Sequence, residues 1–168
     1  TFASGTISFA VGETSKVVQI QLTDNAKIED IEHFFLNLSS PTGGAVIAED
    51  QAMITVIDDD HVVDTPEIFV RDVVVDEKNG TATFYVMLGG PEGQSSNSSV
   101  SVNYATQGLV GGATSASDFA AAAGTLTFAA GETVKTVVVG INDDTTPEGA
   151  EQFYLNLSAA TGGAVIRD

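Results

Sequence analysis

Cysteine is absent from the 168 residues, which excludes a disulfide framework, a thiol nucleophile and thiolate metal sites. Tryptophan is absent too, and the two histidines, His33 and His61, are too few for a zinc centre without thiols. Both read as ordinary surface histidines. Basic residues are scarce: six Lys+Arg against 23 Asp+Glu give a formal charge of −17. Such a surface repels phosphate backbones and anionic membranes, so nucleic acid is not an expected partner. No apolar run reaches the ~18 residues that span a bilayer, so no membrane insertion by this stretch is expected. The N-terminus also lacks the basic-then-apolar pattern of a signal peptide. What is present is 43% hydrophobic and 17% charged, enough to bury the core of one ordinary domain or two small ones.

The chain repeats itself. Residues 5–49 and 124–168 align without a gap, 119 positions apart, with 23 identities in 45 positions. A period this long is too great for a solenoid unit, so each repeat is expected to be a small domain. The sequence reads as a piece of a longer tandem array. Residues 1–60 are expected to be the C-terminal half of one repeat. Residues 61–168 are expected to be a second repeat lacking its last strand, with the junction at residues 58–64.

The local pattern is that of strands. Val18, Ile20 and Leu22 alternate with Gln19 and Gln21, and Phe34, Leu36 and Leu38 with Phe35, Asn37 and Ser39, the period-2 signature of a half-buried strand. Phe153, Leu155 and Leu157 repeat the second series. Ala82, Phe84, Val86 and Leu88 form one face of another strand after a turn at Lys78-Asn79-Gly80. Further strands are expected at residues 5–9, 16–22, 52–57, 68–75, 99–106, 124–128 and 135–141. Turns are expected at Gly12-Glu13 and Gly131-Glu132, and a polar loop at residues 94–99. No segment has helical periodicity. About seven short strands per repeat, separated by Gly, Asn and Asp turns, predict an all-β, immunoglobulin-like antiparallel β-sandwich.

The acids gather at strand ends: Asp143, Asp144, Glu148 and Glu151 in one repeat, Asp24, Glu29 and Glu32 in the other, with Asp58, Asp59 and Asp60 after the strand at 52–57. Two carboxylates ~5 Å apart repel by about 3 kcal/mol at an effective dielectric of ~20. Solvated acidic loops ordinarily need no cation. Three clusters, two of them recurring at the repeat offset, point instead to a hard divalent ion. Ca²⁺ takes 6–8 oxygens in flexible geometry, whereas Mg²⁺ demands a tight octahedron. The glycine-rich segments 89–90 and 108–112 lack phosphate-loop spacing, and no HExxH, GxSxG or Asp-x-Asp-x-Asp-Gly motif appears. Paired carboxylates alone do not make a glycosidase, and no enzyme is expected.

The block GTLTFAAGETVKTVVVGINDDTTPEGAEQFYLNLS, with Asp118-Phe119 upstream and Thr55-Val56-Ile57-Asp58-Asp59-Asp60, resembles the Calx-beta domain family. The resemblance covers nearly the whole chain. It implies a seven-stranded immunoglobulin-like sandwich whose distal loops bind Ca²⁺. Carried over position by position, it implies Glu77, Asp118, Asp143, Asp144, Glu148 and Glu151 as ligands and Thr146 as the donor of a backbone carbonyl. Asp58, Asp59 and Asp60 match the acids after the family's last strand, within the preceding repeat. Asn25 departs from the pattern, standing where the second repeat has Asp144.

The function expected is a non-enzymatic calcium-binding module of a tandem array in a larger secreted, cell-surface or membrane protein. Ca²⁺ would rigidify or regulate the junction between neighbouring Calx-beta repeats. The alternatives are a metal-independent spacer or adhesin stalk and the calcium sensor of a membrane transporter. Because the first repeat contributes only back strands, its strand at 52–57, or its whole half, is also expected to complete a sandwich by non-sequential pairing, within the chain or by exchange with another molecule.

Overall fold

The computed structural model describes residues 4–58, 60, 62–63, 65–89, 95–145, 147 and 149–167. Its strands are β1 (Glu32–Asn37), β2 (Gln51–Val56), β3 (Val62–Val63), β4 (Glu67–Val70), β5 (Thr81–Leu88), β6 (Ser95–Ser96), β7 (Val100–Gly108), β8 (Ala123–Phe128), β9 (Val134–Gly140), β10 (Phe153–Ser158) and β11 (Val165–Ile166). The regular helical element among the described residues is one 3₁₀ turn, Glu77–Asn79. No helix there is long and apolar enough to cross a membrane.

Seven strands from β4 onward make a sandwich. One sheet runs β11-β4-β5-β9 and the other β10-β7-β8. Pairing is antiparallel except for β11 on β4. Alternation sets the inner faces: Ala82, Phe84, Val86 and Leu88 of β5 are buried while Tyr85 between them is exposed. Val137 and Val139 of β9 sit opposite Phe84 and Ala82 in register. From the other sheet Val100, Val102, Phe128 and Leu155 close the same core. Phe119, outside any strand, is 1% exposed. It stacks on Phe153 with ring centroids 4.2 Å apart, and Phe153 meets Phe84 edge-on at 6.0 Å. One aromatic chain thus ties the loop carrying Phe119 to both sheets.

Several expectations are corrected. The segments 5–9 and 16–22 form no strand, although their counterparts in the second repeat are largely β8 and β9. A strand needs a ladder partner: β8 pairs with β7 and β9 with β5, and residues 4–58 contain no equivalent of β5 or β7. The apolar positions of these segments, Phe9, Val18, Ile20 and Leu22, are accordingly exposed. The expected strand 68–75 shortens to β4, and residues 71–76 run free of any ladder. The expected polar loop 94–99 contains β6, whose Ser95 and Ser96 are buried and pair in parallel with β3; residue 94 lies outside the described residues. Within the chain, β2 pairs with β1 in a separate two-stranded sheet and does not complete the sandwich.

The turns are as the sequence predicts. Gly12 and Gly131 take φ of 80° and 81°, conformations open to glycine at no steric cost. In each, a glutamate folds back: Glu13 accepts the Ala10 N–H and pairs with Lys16, and Glu132 accepts the Ala129 N–H at 2.9 Å and pairs with Lys135.

Two outcomes follow. Phe119→Ala removes a buried ring from the centre of the aromatic chain and should destabilise the sandwich by about 3–4 kcal/mol, measured by urea unfolding; a loss below about 1 kcal/mol would contradict the packing. The Lys135 ammonium, then the Ala129 N–H, hold the Glu132 carboxyl below the usual glutamate range. Its contribution is therefore present above the ordinary glutamate value and lost as pH falls through the lowered one. Glu132→Gln should flatten that acid limb by less than about 1 kcal/mol, and an acid limb identical to that of the parent chain would count against it.

Candidate metal centre

Strand register decides which acids share an end of the sandwich. Thr81, the first residue of β5, pairs with Gly140, the last of β9, and the Ile141 N–H donates to the Gly80 carbonyl at 2.9 Å. The 3₁₀ turn carrying Glu77 and the loop carrying Asp143 and Asp144 therefore leave the sheet together. Asp76 caps that turn, its Oδ1 accepting the Lys78 N–H at 2.9 Å.

The loop of residues 114–119 is fastened to the same end. Phe119 bridges Ile141, and the Asn142 N–H donates to the Asp118 carbonyl at 3.0 Å. The Asn142 amide donates to the carbonyls of Ala116 (3.0 Å) and Ser117 (2.9 Å). Ala116 sits at φ 81°, a left-handed conformation that costs a non-glycine residue on the order of 1 kcal/mol. Buried Phe119 below and Asn142 beside it hold the loop in this shape.

Asp118 is consequently well held. Its Oδ2 accepts the Thr114 N–H at 2.5 Å, the Thr114 hydroxyl at 3.2 Å and the Ser117 hydroxyl at 3.0 Å. The Thr114 N–H above all, then the Ser117 and Thr114 hydroxyls, keep its carboxyl below the usual aspartate range, and Glu151 also comes within hydrogen-bonding reach of it. Glu151 arrives there because the Ala113 N–H bonds the Gln152 carbonyl at 3.1 Å. With residues 109–112 it lines a shallow recess of about 180 Å³.

One end of the sandwich thus gathers Glu77, Asp118, Asp143, Asp144 and Glu151. Thr146 and Glu148 lie outside the described residues. Among the described residues, no three acidic or histidine side chains close on a common point. Thr114, Ser117 and Asn142 are the positioning residues the sequence reading missed. Asn142 directly precedes the Asp143-Asp144 pair, and Thr114 and Ser117 sit four and one residues before Asp118, a spacing at which side chains bond local backbone.

A second acidic end belongs to the first repeat. The β1–β2 register sets Glu32 opposite Val56, so the residues preceding β1 and those following β2 meet at one end. Asp58 Oδ2 is shielded from solvent there without a hydrogen-bond partner; Asp59 and His61 lie outside the described residues. His33, on β1, bonds the Thr55 hydroxyl through Nδ1 at 3.1 Å. In the preceding loop, which carries Asp24, both oxygens of Glu29 are taken. The Asn25 amide donates to Oε2 at 3.2 Å, and the Lys27 ammonium lies 3.1 Å from Oε1. These donors hold the Glu29 carboxyl below the usual glutamate range, Asn25 contributing most.

The two ends are far apart in the fold. β3, just after Asp60, pairs with β6, and the Gly131 N–H bonds the Ser96 carbonyl at 2.9 Å. That is the end where β5 finishes and β9 begins, opposite Asp118.

The Calx-beta domain profile matches residues 2–60 and again residues 61–166. The chain is 30% identical, over 98% of its own length, to the Adhesion G-protein coupled receptor V1 of Danio rerio, of which it spans 3%. It is 31% identical, over 93% of its length, to the Sodium/calcium exchanger 2 of Rattus norvegicus, of which it spans 18%. Among solved structures, the apo-form Calx CBD1 domain superposes with a TM-score of 0.54 at 24% identity, covering 61% of this chain and 88% of that one.

Proposed function

The chain belongs to the Calx-beta domain family, and from that membership we propose that it is a non-enzymatic calcium-binding β-sandwich module in a tandem array of a larger secreted, cell-surface or membrane protein. The observation that supports this most is the convergence of the loops carrying Glu77, Asp118, Asp143, Asp144 and Glu151 at one end of the sandwich, set by the Thr81–Gly140 register and by the Asn142–Asp118 and Ala113–Gln152 backbone bonds. Carboxylates gathered at one end of a fold repel one another, which a bound cation relieves, and the Thr114 and Ser117 donors favour the charged form of Asp118. The donor set suits a hard cation that accepts many oxygens. Asp118 and Glu151, with Glu77, Asp143, Asp144, Glu148 and the Thr146 carbonyl, are the proposed ligands of the second repeat. Asp24, Glu29, Glu32, Asp58, Asp59 and Asp60 are those of the first.

A bound dication supplies the positive charge that lets these carboxylates stay ionised side by side. The chain's own residues do the rest. Asn142 and Phe119 fix the Asp118 loop, the Ala113–Gln152 bond delivers Glu151, and the β3–β6 pair fastens the segment after Asp60 to the second repeat. Ionic closure at that junction would stiffen one repeat against its neighbour.

A metal-independent spacer or stalk is the second reading, favoured by the failure of three described acids to converge. A sensor module of a transporter is the third, favoured by the similarity to an exchanger. Neighbouring Calx-beta repeats are the proposed partners.

At Ca²⁺ 100-fold above its Kd, stability should rise by about 2.7 kcal/mol, lifting Tm by upward of ~5 °C relative to EGTA. Asp118→Asn should remove most of the rise. An identical Tm in both conditions, with no heat in calorimetric titration, would leave the spacer reading. The outer edge of β10, equivalent to the edge of β1 that β2 covers, is unpaired among the named strands. Exchange of β2 onto β10 between molecules is proposed on that basis; light scattering should give a dimer, and a monomer at high concentration would refute it.

A further inference from the structure

β10 repeats β1 at the 119-residue offset, and Glu151, Phe153, Leu155 and Asn156 are identical to Glu32, Phe34, Leu36 and Asn37. β2 covers one edge of β1 with Val56 opposite Glu32, Ile54 opposite Phe34 and Ala52 opposite Leu36. The Gln51 amide donates to Asn37 Oδ1 at 2.8 Å. The equivalent edge of β10 carries no strand among the described residues. Transferred to it, the β1–β2 register sets Ile54 against Phe153 and Ala52 against Leu155 on the core face. Met53 and Tyr154, each more than half exposed, then share the outer face. A slip of one residue would turn Met53 and Thr55 inward, so a single register fits.

While β3 stays on β6, a chain cannot fill its own slot. Val62 is held by Ser95 at the end of the sandwich opposite Asp118. Six residue steps separate it from Val56, a reach of at most about 22 Å. The eight residues of β5 alone run about 24 Å between the two ends. The occupant is therefore β2 of a second copy. β1 and β2 form a two-stranded sheet, an arrangement that is marginal in water, so β2 leaves β1 at little cost. The chain exposes 11618 Å² against about 7,800 Å² for a compact monomer of its mass. That surplus exceeds the ~800 Å² per partner that a standard interface buries.

We propose that two copies exchange β2 reciprocally in this register, and that each thereby delivers Asp58, with Asp59 and Asp60 after it in sequence, to the Asp118 end of the other. Val56 of one copy lies opposite Glu151 of its partner, so the residues that follow Val56 emerge beside Glu151. The cation site proposed for the second repeat is then completed by the partner copy. This step rests on the calcium reading of that end. Each chain carries a formal charge of −17, so the delivered acids oppose association unless a dication sits among them. Cation binding and dimerisation are linked, each strengthening the other by the same factor.

Two measurements on the full chain test this. The chain has no cysteine, so Met53→Cys in one preparation and Tyr154→Cys in another introduce the only thiols. Mixed and mildly oxidised in Ca²⁺, the two variants should cross-link to each other in preference to themselves. Cross-linking no faster between the variants than within each overturns the exchange. For the delivery, sedimentation in Ca²⁺ is compared with sedimentation in EGTA. The parent dimer should tighten at least about tenfold in Ca²⁺. Asp118→Asn should lose that gain, and so should a chain carrying Asp58→Asn, Asp59→Asn and Asp60→Asn. Mixing these two variants should restore it, because one donates intact acids to the intact Asp118 of the other. A mixture as unresponsive as its components overturns delivery by the partner copy. A parent chain indifferent to Ca²⁺ overturns the calcium reading and the delivery with it, while the cross-linking still decides the exchange.

Discussion

Like charges brought together by strand register are the constraint on which the rest of this molecule depends. The core fixes where β5 begins and β9 ends, and the loops leaving those points carry acids that solvent alone would keep apart. Asp118 and Glu151 sit at the same end because hydrophobic burial of Phe119 and backbone pairing at Ala113 and Gln152 place them there. The fold therefore holds these acids at one end of the sandwich, where an added positive charge would act on the loops that carry them.

The two repeats separate what a local sequence encodes from what only a whole sandwich provides. Gly12 and Gly131, Gly43 and Gly162, Gly44 and Gly163, and Ser40 and Ala159 are pairs related by the 119-residue offset, and within each pair φ agrees to about two degrees. These turns form in the first repeat without a core beneath them, so their geometry follows from the residues in the turn itself. Strands behave otherwise. Residues 16–22 have the alternation of their counterpart β9 yet form no ladder, since alternation specifies a face and not a partner. Gly162 shows the two levels meeting at one residue. A Cβ there would come within 2.5 Å of the Ser99 carbonyl oxygen, whereas nothing lies within 4 Å of the equivalent position in Gly43. The same glycine is required by its turn in both repeats and by close packing in one.

The same division explains how much of the candidate site was legible. Clusters of Asp and Glu at strand ends are visible in the chain, and strand order is enough to bring Glu77, Asp118, Asp143, Asp144 and Glu151 to one end. The groups that aim them are less visible. Thr114, Ser117 and Asn142 are ordinary polar loop residues whose roles follow from the left-handed Ala116 and from the bridge between Phe119 and Ile141, neither of which composition or periodicity reveals. The exchange of Asp144 for Asn25 is legible as a lost charge. That Asn25 and Lys27 take the two oxygens of Glu29 appears only in the folded loop.

The placement of the two acidic ends on opposite sides of the second repeat has a mechanical corollary. The end near Asp58 adjoins β3, which is paired to β6, and Ser95 and Ser96 of β6 are fully buried. Backbone hydrogen bonds between β3 and β6, and from Gly131 to Ser96, thus link the residues after Asp60 to that end of the sandwich. The end near Asp118 has no such strand beside it and is held by Phe119 and Asn142 through loop contacts. A cation at the first end would act on the angle between repeats, and one at the second on the order of the loops themselves.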